Sequence, residues 1–147
     1  DYIIINKFNL IEDKLIKVVN TEEDLLDKNI KLFLIPAQNK FFLKKKNINL
    51  FVNISSFQEM DIEVINNYMN YLYFNKNPFS FYLCNRIEKI LPDGSLIKFS
   101  EYGLSENDDI IFDELCVWHQ DFYRLSPPFI VKFDGPHLHQ LRRCNFK

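Results

Sequence analysis

A chain of 147 residues with 47% hydrophobic and 26% charged side chains carries enough apolar surface to bury a core and too much to stay disordered. Its formal net charge of -2 lacks the basic excess that phosphate-backbone binding requires, so no nucleic-acid partner is expected. No apolar run approaches the ~20 residues of a membrane-spanning helix, and three widely spaced cysteines imply reduced thiols in a cytoplasmic setting rather than a disulfide framework.

The chain opens on Asp1 without an initiating Met, and residues 2–5 form a β-branched apolar run that reads as a buried strand. A domain seldom starts inside a strand, so the expectation is a piece of something longer. Residues 9–19 fit neither period. Thr21 followed by Glu22, Glu23 and Asp24 predicts a short capped helix, and residues 31–35 predict a strand stopped by Pro36. The basic run Lys44-Lys45-Lys46 reads as a solvated loop.

Residues 49–55 give a near-continuous apolar run, the pattern of a parallel strand covered on both faces. Asp61 is placed to cap a helix in which Ile62, Ile65, Met69 and Leu72 recur at helical spacing to about Tyr73, and residues 75–78 end it. Residues 79–85 predict a further strand. Residues 87–91 and 96–99 flank Pro92-Asp93-Gly94-Ser95, a hairpin signal, and residues 109–116 predict another strand. Beyond Trp118 the chain, with Pro127-Pro128 and Gly135-Pro136, reads as loops with short extended pieces. The whole, residues 1–147, is expected to be one partial α/β domain whose parallel strands end in an antiparallel hairpin region.

Open α/β sheets collect ligands beyond the carboxyl ends of their strands. Two predicted strands end in polar clusters, Ser55-Ser56-Phe57-Gln58-Glu59 and Cys84-Asn85-Arg86. Glu59 is a candidate general base, and Gln58, Asn85 and Arg86 are candidates for binding hydroxyls or phosphate. The plainer alternative makes Glu59 a helix-start carboxylate paired with Arg86. Trp118 and His119 set a ring platform beside a titratable group, a combination that suits a sugar; the alternative makes Trp118 a core or edge anchor. Cys116-x-x-His119 with His137 and His139 offers soft ligands, but the spacing fits no closed zinc pattern, and no metal is expected.

Several blocks in order resemble the sugar O-methyltransferase family: residues 51–60, Tyr82-Leu83-Cys84-Asn85-Arg86, Ile90-Leu91-Pro92-Asp93-Gly94, Phe99-Ser100-Glu101-Tyr102, residues 113–120 and Phe133-Asp134-Gly135-Pro136. The resemblance runs from about Lys31 to the end. It implies the C-terminal part of a Rossmann-like, seven-stranded methyltransferase sheet, with residues 50–55 near the fourth strand and 79–85 near the fifth. It also implies methyl transfer from S-adenosylmethionine to a hydroxyl of a nucleotide sugar or surface glycan. Glu59 or His119 would then serve as base, and Gln58, Asn85, Arg86 and Trp118 would orient the acceptor. The Gly-rich cofactor loop is expected upstream of Asp1, and Asn6 stands where a ribose-binding carboxylate would follow the second strand. The competing expectation is a non-catalytic remnant that binds glycan or a partner chain. A sheet cut between strands is also expected to self-associate through its exposed edge.

Overall fold

The computed structural model describes residues 15–74, 77–119, 121–132 and 135–145. The strand expected at residues 2–5, and Asn6 after it, lie outside these. The chain divides into two compact units, one up to Lys46 and one from Asn47 onward.

In the first unit, β1 (Ile16–Val18) pairs in parallel with β2 (Leu32–Leu34). Between them a 3-10 turn spans Glu22–Leu26. The Asp24 carboxylate accepts hydrogen bonds from the backbone N–H groups of Asn20 and Thr21, both at 2.9 Å, so the acidic first turn caps itself. Those backbone bonds, with Lys17 at 2.9 Å, hold the Asp24 carboxyl well below the usual carboxylate range. A small core of Val19, Leu25 and Phe42 fixes the unit. The lysine run is not a plain solvated loop: 3-10 turns span Ala37–Lys45, and Lys46 Nζ donates to the Leu25 carbonyl at 2.8 Å.

The second unit is built on a four-stranded mixed sheet of β3 (Leu50–Ile54), β4 (Phe79–Arg86), β7 (Asp109–Leu115) and β10 (His137–Cys144), in the order β3-β4-β10-β7. β3 and β4 are parallel, and β10 runs antiparallel to both β4 and β7. The fold is thus mixed α/β with few helices. Helix α1 (Ile62–Tyr73) buries Ile65, Met69 and Leu72 against Phe79, Phe81 and Leu83, alternate residues of β4. Each such side chain contributes about 1.5–3 kcal/mol relative to exposure. Asp61 occupies the N-cap position with extended backbone, but its side chain makes no capping bond. A hairpin, β5 (Glu88–Ile90) with β6 (Leu96–Lys98), turns at Gly94, whose φ of 89° suits glycine. A second small pair joins β8 (Asp121–Tyr123) to β9 (Ile130–Lys132). Among the described residues, no helix is long and apolar enough to cross a membrane.

Three expectations change. β3 is not covered on both faces: Leu50, Val52 and Ile54 are about half exposed, because among the described residues β3 lies at the sheet's edge and α1 covers one face only. The end of the chain is not a set of loops, because β10 is an eight-residue strand in the middle of the sheet. The Asp-Gly hairpin forms, but as a separate two-stranded sheet; the antiparallel member of the main sheet is β10.

β10 escapes a hydrophobic reading because two of its core-facing residues, Gln140 and Arg142, are polar. Arg142 lies opposite Phe81 and reaches the buried Asp108 carboxylate at 3.2 Å. Asp108 also accepts from the Tyr73 hydroxyl at 2.5 Å, with the Cys144 thiol 3.6 Å away. Burial and the neighbouring Asp108 push the Cys144 thiol up to about 12.

Candidate functional site

The parallel pair β3 and β4 delivers its two carboxyl ends to one side of the sheet. The turn leaving β3 starts at Ser55, whose φ of 56° is unusual for a residue with a side chain and costs on the order of 1–2 kcal/mol. Its N–H is fastened to the Cys84 carbonyl at 2.8 Å. Beneath it lies an amide network. Asn53 Oδ1 accepts from Asn85 Nδ2 at 3.0 Å and from the Phe57 N–H at 3.2 Å. Asn85 Oδ1 accepts from the Gln58 N–H at 3.4 Å, and Gln58 Oε1 accepts from the Arg86 N–H at 2.7 Å. Asn53, Asn85 and Gln58 are all buried. Their amides hold the β3 turn against β4, so Gln58 and Asn85 shape the floor of the site rather than offer free groups to a ligand.

Glu59 stands above this floor with its side chain half exposed, paired with Lys89. The Lys89 ammonium holds the Glu59 carboxyl below the ordinary carboxylate range, helped by the Gln58 amide at 3.4 Å. The partner expected from the sequence was Arg86, and its guanidinium adds only a weaker pull. Beside the pair, a cleft of about 480 Å³ opens at the end of β4, lined by Arg86, Glu88, Lys89, Ile90, Leu96 and Pro136, among others. Its walls are part apolar and part charged, with the cations Arg86 and Lys89 and the carboxylate of Glu88.

Strand alternation places Cys84 and Arg86 on the same face of β4, opposite the core face. Cys116 follows β7, and a 3-10 turn over Val117–His119 folds His119 back over it. The result joins groups distant in sequence: His119 Nδ1 lies 3.4 Å from Cys116 Sγ and 3.7 Å from Cys84 Sγ. Both cysteines are fully buried, and burial pushes the Cys84 thiol up. The His119 ring stacks on His137 with centroids 4.9 Å apart. Trp118 in the same turn is 83% exposed, so it is not a core anchor.

The structure therefore gathers Gln58, Glu59, Asn85 and Arg86 at the ends of β3 and β4, and sets His119 and Trp118 in a turn that reaches Cys84 on β4. Gln120 and Asp134 lie outside the described residues. Sequence reading missed Lys89 as the partner of Glu59, Asn53 as the hub of the amide network, and Cys84 as the neighbour of Cys116 and His119. The alternation along β4 carries the signal for the last, once β4 and β7 are known to share a sheet.

No protein-family model, curated protein or solved structure matches the chain.

Proposed function

We propose that the cleft at the end of β4 binds a sugar or nucleotide sugar, and that the chain forms the acceptor side of a sugar O-methyltransferase. The observation that carries this reading is the position and lining of the cleft. It opens at the carboxyl end of β4, beside its parallel partner β3, where α/β sheets collect ligands, and it joins apolar wall to the cations Arg86 and Lys89, for a phosphate, and to the carboxylate of Glu88, for hydroxyls. Such a lining suits a sugar bearing a phosphate. The parallel pair followed by an antiparallel strand from the C-terminal end of the chain is consistent with the fourth and fifth strands of a Rossmann-like methyltransferase sheet.

S-adenosylmethionine is the donor that the resemblance implies. Among the described residues, none of the three glycines lies between a strand and a helix: Gly94 is in a hairpin, Gly103 packs against Asn66 of α1, and Gly135 precedes β10. The described residues thus offer no glycine cradle for the donor, and the chemistry assigned to them concerns the acceptor alone. S-adenosylmethionine, when bound, would supply an electrophilic methyl whose bond to the sulfonium breaks as the acceptor oxygen takes it; Glu59, the carboxylate beside the cleft, would accept the proton of that hydroxyl. Arg86 and Lys89 fix the acceptor's phosphate, and the buried Gln58–Asn85–Asn53 network keeps Glu59 in place.

Calorimetric titration with a panel of nucleotide sugars tests this. Arg86→Ala is expected to weaken binding about tenfold or more, the order of a lost charge-assisted hydrogen bond. No binding of any member, with no methyl transfer by the protein that carries the chain, would overturn it. The exposed rings of Trp118 and Tyr123 favour one second reading, a glycan-binding module. It predicts binding of uncharged glycan that Arg86→Ala leaves intact.

A further inference from the structure

We infer that Cys84, Cys116 and His119 form a zinc site with three protein ligands. The ligand atoms of the three residues lie within 4.8 Å of one another, and both sulfurs converge on the same imidazole nitrogen. Tetrahedral zinc, with Zn–S near 2.3 Å and Zn–N near 2.0–2.1 Å, sets nitrogen and sulfur about 3.5 Å apart. The separations here, 3.4 Å and 3.7 Å, bracket that value. Two thiolates and one imidazole are a donor set that selects zinc over the hard cations magnesium and calcium.

The surroundings hold the ligands in place. Cys84 is fixed in the sheet by pairing with Ile54 on one side and His139 on the other. The Cys116 N–H donates to the His137 carbonyl at 2.8 Å, and the His137 ring stacks against His119. The two thiols are buried and His119 is partly exposed; with three protein ligands, a water or another oxygen ligand would complete the tetrahedral set. Zinc binding expels both thiol protons, so affinity rises with pH. Sequence spacing conceals the site, because Cys84 is 35 residues from His119 and no local pattern includes it.

The inference does not depend on methyl transfer; it removes His119 from the candidate bases and leaves Glu59. The test uses reduced, metal-free chain titrated with zinc alone and with cobalt alone. One metal per chain is expected, with a thiolate-to-cobalt charge-transfer band and release of protons to the buffer. Cys84→Ser and Cys116→Ser are expected to abolish the band, and Cys144→Ser, whose thiol lies by Asp108, to retain it. The inference is overturned if reduced chain with a native far-ultraviolet circular dichroism spectrum takes up no metal, or gives a cobalt spectrum without the thiolate band. Folded Cys84→Ser and Cys116→Ser variants that bind like the parent also overturn it. The parent's cobalt spectrum decides the matter even where a variant fails to fold.

Discussion

Glu59 and Lys89 set the pH behaviour of the cleft. Lys89 lowers the Glu59 pKa, with Gln58 and Arg86 adding to it, so the carboxylate stays ionised until the pH falls below the ordinary glutamate range. Under the proposed function, the acidic limb of the activity profile should lie below that range, and Lys89→Met should move it upward. A limb near neutrality would remove Glu59 as the base. The sign for stability is the same: a depressed folded pKa contributes stability above the unfolded value and loses it as pH falls through the folded one, a small effect for a half-exposed carboxylate. Glu59→Gln should reduce turnover with little change in the affinity for nucleotide sugar, measured by comparing rate with titration. Trp118, free of the core, should affect binding alone: under the glycan-binding reading Trp118→Ala should weaken glycan affinity severalfold and leave the melting temperature nearly unchanged.

At the scale of elements, β10 is held by a buried charge as much as by apolar contact. Asp108 takes hydrogen bonds from Tyr73 of α1 and Arg142 of β10, so it ties helix to strand. Asp108→Ala leaves the Arg142 charge uncompensated and should cost roughly 3–5 kcal/mol, read from urea unfolding. α1 was legible from the sequence because Ile62, Ile65, Met69 and Leu72 mark one face in a local period of 3.6 residues. The Asp-Gly turn was legible because Gly94 must adopt a positive φ. β10 was not, since its inward Gln140 and Arg142 read as surface until Asp108 is seen beside them. β3 was legible as a strand but not as an edge, since Leu50, Val52 and Ile54 look the same with or without a neighbour.

For the whole molecule, the exposed half of β3 is the main liability. Leu50, Val52 and Ile54 present an apolar row at a sheet edge, which natural strands commonly guard with charge. Sedimentation should show concentration-dependent self-association, and Val52→Lys should shift the chain toward monomer. A monomer at all concentrations would remove the edge as an interface. The sequence by itself determined the types of most elements, the hairpin turn, the net charge and the polar character of the β3 and β4 ends. These depend on residues a few positions apart or on composition. Only the tertiary structure decided that β10 lies between β4 and β7, that Lys89 rather than Arg86 is the chief partner of Glu59, and that Cys84 meets Cys116 and His119. Each of these depends on which strands pair. Pairing is selected by burial over the whole core, where a buried ion pair can stand in for apolar contact, and no local period records that choice.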